Sequence, residues 1–389
     1  FPIFETQKDI DFFAEQFRGA RIMAEHFMAR EKVLYVGHPI AAIAAVSPHI
    51  AEEAASLIEV EYDILPAVLT IEEALKNDAP LVHDKLTTVL RDRPNGKEDS
   101  GTRSNVAGHG QLRRGDIEKG FKEAEVIVEH EFSTQAVHPG YIEPFASTAQ
   151  WQRDGHVTIW TTTQGTFDVR EGTALIMGIS ESLLKVIAME CGGGFGGKGP
   201  NTNPLNPMSA ILSKKSGLPV KMVMSRKETF ESTCPAAATR IWIKMGADKD
   251  GKITAAHMSL AYQSGAFPGS PVAAGIQNGL ATYKVENIEI DGYDVITNTQ
   301  KMQSYRAPGQ PPATFAVEGV VDELAEKLGI DPMEFRLNNA VQEGDRMPTG
   351  ILYPTIACVE LEEAMKNHPH YRAPLGGPNR GRGVSVAAR

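Results

Sequence analysis

The sequence predicts a mixed α/β (α+β) chain of two domains. Three observations carry this. The 389 residues exceed what one small module needs and suffice for two or three buried cores. Strand-like apolar runs alternate with helical patterns along most of the length. A polar, glycine-rich stretch at 85–116, which includes LRDRPNGKEDSGTRSNVAGHGQLRRGD, interrupts that alternation and reads as a long loop or crossover between a small front domain and a larger second one.

In the front domain, residues 32–46, KVLYVGHPIAAIAAV, hold two apolar runs around a Gly-His-Pro turn and predict two strands with a tight connection. AEEAASLIEV predicts a helix near 51–58, and IEVEYDIL after it alternates as a strand. Thr70, with Glu73 three residues later, is a capping-box start to a short helix. Beyond the break, 123–135 and 149–164 have strand character, TFDVREGTALIMGI reads as a helix, and 183–190 reads as a strand. LPVKMVMS is strand-like, and two further strands flank the Asp-Gly turn of ADKDGK. PPATFAVEGVVDELAEKLG is a helix, with Ala316, Val320, Leu324 and Leu328 on one face and Gly329 ending it. Asp331, Pro332 and Glu334 then supply an N-cap, an N1 proline and an N3 acid for another helix.

Composition removes several classes of function. Apolar residues make up 42% and charged residues 23%, which excludes a disordered tail. The net charge of −10, with no long basic block, argues against a nucleic-acid-coating protein. No apolar run approaches the roughly 18 residues of a membrane span. Cys191, Cys234 and Cys358 are far apart and form no CxxC pair, so this chain carries no iron–sulfur or structural zinc site of its own, and the sparse count fits a reducing compartment. With no export signal, the cytoplasm is expected. The chain begins FPIFETQKD and ends RGRGVSVAAR, which reads as the opening of a strand; both ends look like cuts through something larger.

The strongest local signal is ECGGGFGGKG, Glu190 to Gly199, with five glycines between 192 and 197 broken only by Phe195. Repeated glycines leave backbone N–H groups unobstructed and suit an anion or cofactor cradle. It is not a P-loop, since Gly199 follows Lys198 where Ser or Thr is required, and Pro200 and Pro204 delay the helix that a dinucleotide fingerprint would open. Arg306, in QSYRAPGQPP, sits between a strand-like segment and a helix start, where its planar guanidinium suits an anion. Gln164, in TTTQG, precedes a helix and offers an amide; taken alone, it fits a turn or capping role better. His138 and Glu143, in HPGYIEP, are expected to make structural hydrogen bonds, and Cys191 to be a small buried side chain closing a strand.

Taken together, YVGHPIAAIAAV with VEYDILPAV, then IWTTTQGTF, GGGFGGK, and SYRAPGQ with DELAEKLGIDPMEFRLNN resemble, in order and spacing, the molybdenum-cofactor-binding subunit of the xanthine dehydrogenase/aldehyde oxidoreductase family, the molybdenum hydroxylases. The resemblance covers nearly the whole chain. It implies a partial a/b hammerhead domain over 1–85, an interdomain loop or crossover over 86–116, and a first molybdopterin-binding domain over 117–389, ending where a second begins. It implies that Gln164 approaches an oxo ligand of molybdenum. Gly193, Gly194, Phe195 and Gly196 would lie beside metal and pterin, with Phe195 near the substrate channel, and Arg306 and Ala307 would belong to the second active-site loop. The cofactor would be molybdenum with molybdopterin, the cytosine dinucleotide being one form, and the metal would be held by the pterin dithiolene and by no side chain.

The implied reaction hydroxylates an electron-poor carbon with water-derived oxygen and sends two electrons to iron–sulfur clusters. The family's catalytic glutamate belongs to the second cofactor domain; Glu190 and Glu318 do not match it. The resemblance therefore implies the N-terminal half of a split subunit. Its partners would be a second molybdopterin-binding chain carrying the glutamate, a [2Fe–2S] subunit and an FAD subunit, with a small-molecule substrate. Gly199 stands where purine-oxidising members have Glu, Ala307 where carbon-monoxide-oxidising members have Cys, and Gln310 where aldehyde-oxidising members have an acid. An aldehyde or an N-heteroaromatic ring remains as substrate, with an aromatic thioester reductase or a non-catalytic assembly subunit as alternatives.

Overall fold

The computed structural model describes residues 24–91, 98–199 and 202–388. The front of the expected hammerhead domain (1–23) and Pro200 lie outside them. Two sheets build the described residues. The larger has seven strands in the order β2-β1-β3-β11-β10-β9-β4: β1 Thr87–Arg91, β2 Glu98–Arg103, β3 Val106–Arg114, β4 Val126–Thr134, β9 Thr239–Ala247, β10 Ile253–Gly265 and β11 Asn287–Ile296. The smaller has the order β7-β6-β5-β8: β5 Ala146–Trp151, β6 Val157–Thr161, β7 Leu184–Ala188 and β8 Val220–Val223.

After a helical stretch at 24–27, the helices of the described residues are, in chain order, α1 Pro48–Ser56, α2 Ile71–Ala74, α3 Ile117–Lys122, α4 Thr166–Met177, α5 Leu205–Ser216, α6 Arg226–Ser232, α7 Val272–Asn278, α8 Gln310–Leu328, α9 Pro332–Asn339, α10 Cys358–Asn367 and α11 Pro369–Arg372. The main core lies between the large sheet and α8. Ile241, Ile243, Met258, Leu260, Ile288 and Ile290 meet Ala316, Val317, Val320 and Leu324, all effectively sealed from water. Burying such side chains contributes about 1.5–3 kcal/mol each. The Leu328 position on the same face is only partly buried. Gly329 ends α8 at φ 68°, a left-handed cap, and Asp331 accepts from the Met333 and Glu334 amides to start α9.

A separate core of Ala149, Val157, Ile159, Ala174, Leu184 and Ala210 seats α4 and α5 on the small sheet. There β6 and β7 run parallel, with Thr161 opposite Ala188, and α4 is the crossover between them. The carboxyl ends of two neighbouring strands therefore open at one edge, where ligand-binding loops of α/β sheets gather.

Several expectations are corrected. Residues 86–116 are not a loop or crossover: they contain β1, β2 and β3, and β3 pairs with β11 from Ile288↔Arg114 to Val295↔Val106. Their glycines and charges fit one thinly covered end of a sheet, where side-chain burial is not demanded. The two strands expected in 32–46 are absent. The Gly37 turn is present at φ 90°, packed against Glu231 and held by a hydrogen bond from Ser232 Oγ to the Gly37 carbonyl (2.6 Å). IEVEYDIL is not a strand either. Ile64 is 95% exposed, and among the described residues nothing pairs with this segment; alternation selects a face, but a strand also needs a hydrogen-bonded neighbour. The RGRGVSVA segment is not a strand but is anchored, with the Val386 N–H donating to Glu318 Oε2 at 3.0 Å. No helix among the described residues is long and apolar enough to cross a membrane.

Candidate functional site: two loops between the sheets

Gln164 lies three residues past the end of β6, and the glycine loop begins just past β7. A bond from the Met189 N–H to the Thr161 carbonyl (2.9 Å) continues the β6–β7 pairing, so both loops leave the sheet side by side. The Gln164 N–H donates to the Lys198 carbonyl at 2.8 Å, and Gln164 Oε1 accepts from the Gly196 N–H at 2.9 Å. That second bond orients the side chain. With Oε1 engaged by the loop, the NH₂ group is the donor that the exposed Gln164 presents outward.

The glycines are required by close approach. A Cβ on Gly194 would stand 2.5 Å from Gln164 Oε1, and one on Gly192 would stand 2.6 Å from the Glu143 Cβ. Gly193 and Gly196 have φ of 98° and 97°. Phe195 itself sits at φ 53°, with its ring half exposed. A large aromatic held outward in a left-handed conformation is a placed group rather than linker filling.

The second loop comes from the large sheet, between β11 and α8. The Arg306 N–H donates to the Phe195 carbonyl at 2.9 Å, and Gly196 lies so near Ser304 that a Cβ would be 3.0 Å from its carbonyl oxygen. Ala307 is the loop's own left-handed residue, φ 57°. Gly309, at φ 83°, packs under Pro271 and accepts a 2.6 Å bond from Tyr262 Oη. Gln164, Gly193, Gly194, Phe195, Gly196, Arg306 and Ala307, predicted from separate segments, are thus brought into one region, with Arg306 exposed.

Beneath the glycine loop lies a support that the sequence pattern did not single out. Lys198 is fully buried and pairs with Glu143, its ammonium 5.0 Å from the Tyr141 ring centroid and 5.6 Å from that of Phe145. Glu143 Oε2 also accepts from the Gly192 N–H at 2.8 Å. Burial pushes the Tyr141 phenol up to about 12, keeping it neutral. The available signal was the pairing of an acid in HPGYIEPF with a lysine closing the glycine run. His138 bonds Thr233 Oγ1 at 2.9 Å, a structural contact as expected.

Two expectations about other residues resolve differently. Cys191 is exposed, not buried, because the chain leaves β7 three residues before it; its Sγ lies 3.4 Å from the Gly193 carbonyl. Glu318 is committed elsewhere: it binds the Arg336 guanidinium at 2.8 Å and accepts from Tyr283. One grouping of potential metal ligands among the described residues, His257, Glu289 and Asp291, lies on β10 and β11, where Arg113 bridges both carboxylates. What the two loops bring together is the Gln164 amide, bare glycine backbone and the exposed Arg306, with no cluster of metal-ligating side chains among the described residues there. That donor set fits a group whose metal is held by its own organic ligand and not by side chains.

Comparison with known proteins places both parts of the chain in described domain families. Residues 98–340 match the molybdopterin cofactor-binding domain, and residues 3–66 match the a/b hammerhead domain of aldehyde oxidase and xanthine dehydrogenase. The nicotinate dehydrogenase large molybdopterin subunit of Eubacterium barkeri is 29% identical over 89% of this chain and 78% of its own length. The xanthine dehydrogenase molybdenum-binding subunit of Escherichia coli O157:H7 is 30% identical over 84% of this chain but only 42% of its own. Quinoline 2-oxidoreductase from Pseudomonas putida 86 superposes with a TM-score of 0.76 at 27% identity, covering 87% of this chain and 42% of that one. The chain thus spans less than half of the second and third of these.

Proposed function

Because the chain belongs to the xanthine dehydrogenase/aldehyde oxidoreductase family of molybdopterin-binding proteins, we propose that it forms one half of the active site of a multi-subunit dehydrogenase that hydroxylates an electron-poor carbon of an N-heteroaromatic substrate. The observation that carries this reading is the Gln164–Gly196 bond, which turns the Gln164 NH₂ outward between two loops that are themselves joined through Arg306 and Phe195. Molybdenum in its pterin dithiolene, in the cytosine dinucleotide form or another, supplies the oxygen- and electron-transfer chemistry when bound. The chain's own part is positional. Gln164 would donate a hydrogen bond to an oxygen of the cofactor, and the Gly193–Gly196 backbone would lie alongside the pterin. Arg306 offers its guanidinium to an anionic group of cofactor or substrate. The outward Phe195 ring gives an aromatic substrate a face to stack on.

The proton-abstracting glutamate comes from a second molybdopterin-binding chain. Glu318 and Glu143 are each already engaged by a buried cation, Arg336 and Lys198 respectively. Electrons would pass to a [2Fe–2S] subunit and from it to an FAD subunit, since this chain's Cys191 and Cys234 lie in separate loops and Cys358 opens α10. The match to 78% of a relative named as one molybdopterin subunit of a nicotinate dehydrogenase supports both the split and the substrate class. Intact Gln164 and Arg306 loops disfavour a non-catalytic assembly role. Purifying the complex with its partners tests the reading. Molybdenum and pterin are expected at near one per copy of this chain, with dye-linked oxidation of pyridine or quinoline carboxylates and ¹⁸O from labelled water in the product. Absence of both metal and pterin would overturn it; turnover of aldehydes alone would reassign the substrate.

A further inference from the structure

We propose that Glu143 and Lys198 are positioning residues: a charge-paired clasp that sets the shape of the glycine loop and, through it, the orientation of Gln164. The inference rests on the reading of Gln164 as the amide that faces the cofactor.

One carboxylate oxygen, Glu143 Oε2, receives both the Gly192 N–H at the loop's entrance and the Lys198 ammonium at its exit. The Glu143 N–H returns a bond to the Gly192 carbonyl at 3.3 Å. The loop from 192 to 198 is therefore closed at its base by a single side chain from another segment. Lys198 is 0% exposed, and its ammonium lies against the Tyr141 and Phe145 rings from that same segment. A cation so enclosed has aromatic faces on one side and a carboxylate on the other; removing the Glu143 charge leaves the buried ammonium uncompensated, whereas removing Lys198 frees a carboxylate that is 32% exposed and takes away the anchor at the loop's exit.

The connection to Gln164 is direct. The Lys198 carbonyl accepts the Gln164 N–H at 2.8 Å and lies 3.4 Å from Thr163 Oγ1, while Gly196, inside the clasped loop, holds the Gln164 side chain. Backbone and amide of Gln164 are thus both referenced to a loop whose ends the ion pair fixes. Tyr141 adds a template surface, since a Cβ on Gly197 would stand 2.9 Å from its ring and one on Gly193 would stand 3.3 Å from its Cβ. A loop released at its base would let Gln164 wander from the geometry the reaction needs, which lowers turnover more than substrate binding.

The test uses the assembled complex with Lys198→Met and Glu143→Gln, and with Glu129→Gln as a variant far from the loops. Hydrogen exchange of the peptide spanning 190–199 is expected to quicken by about tenfold or more in Lys198→Met and by less in Glu143→Gln, which keeps an acceptor for the Gly192 N–H. Peptides from β9, β10 and β11 should be unchanged. With molybdenum content retained, kcat should fall about tenfold with KM within about twofold of wild type. Unchanged exchange in the 190–199 peptide of both variants would overturn the clasp, as would quickened exchange spread evenly over the large sheet. If Lys198→Met fails to fold, Glu143→Gln decides alone by the same peptide. The exchange arm reads the clasp whether or not cofactor is present, so a wild-type complex without molybdenum and pterin would sink the proposed function separately.

Discussion

A methyl group added to Gly194 would meet Gln164 Oε1 at 2.5 Å, well inside contact. Gly194→Ala is therefore expected to displace the amide while leaving both sheets intact: far-UV circular dichroism unchanged, cofactor content and turnover sharply reduced. Gln164→Glu separates the two halves of the amide's role. A carboxylate can still accept from the Gly196 N–H, but it loses the NH₂ donor, so kcat should fall by about 10²-fold, the scale of losing one aimed hydrogen bond, with metal content measured alongside. These positions were legible in the sequence because the residue types are restrictive: a glycine run broken by one aromatic, an amide before a helix, an arginine before Ala-Pro-Gly. Lys198 was not, because a lysine closing a loop ordinarily reads as solvated, and only the fold reveals the carboxylate and two rings around it.

At the scale of elements, α8 and α9 followed from periodicity and capping residues, which are local. What failed was non-local. The 58–65 segment alternates correctly yet pairs with nothing among the described residues, while the glycine-rich 98–114 region pairs well because β11 and β1 are there to receive it. A strand depends on its neighbour, and the sequence of one strand does not carry the neighbour's identity. The joint between α8 and α9 is a buried ion pair, with the Arg336 Nε and Nη2 groups on Glu318 Oε2 at 3.0 and 2.8 Å and Tyr283 on the other oxygen. Arg336→Met leaves that carboxylate uncompensated and should destabilise the chain by about 3–5 kcal/mol, read from the urea midpoint. Nearby, burial raises the Glu362 carboxyl to about 7, so this corner of the molecule already carries one acid that resists ionisation.

Across the whole molecule, the 24–45 segment is docked on the larger unit through histidines gathered around Phe267, whose ring lies 5.1 Å from His26 and 5.8 Å from His38. His38 is fixed as a neutral ring, Nδ1 accepting from the Leu34 N–H and Nε2 donating to the Glu25 carbonyl. Burial holds both rings below the ordinary 6.5, with the positive charge of Lys301 adding to the effect at His26. The unfolded chain therefore takes up protons first. The two rings' contribution to stability is full above about pH 6.5 and falls as the pH drops below it, until the folded rings also protonate; Glu362, with its raised carboxyl, contributes in the opposite sense. Between pH 7.5 and pH 5.5 the melting temperature of His26→Leu should therefore fall less, or rise more, than that of the wild-type chain, and an identical pH dependence of the two would refute the assignment. The two loops themselves were legible in the sequence, but their meeting was not, since no local pattern encodes which loop touches which. That meeting has a kinetic consequence. Phe195 and Ala307, both carrying side chains, occupy left-handed conformations that cost roughly 1 kcal/mol or more each in an isolated turn. Neither turn has reason to form until the other is beside it and the Arg306 N–H to Phe195 carbonyl bond can close. Folding should complete the small and large sheets first and the joint between these two loops last, so that the candidate site is the final part of the chain to become ordered and the first to come apart.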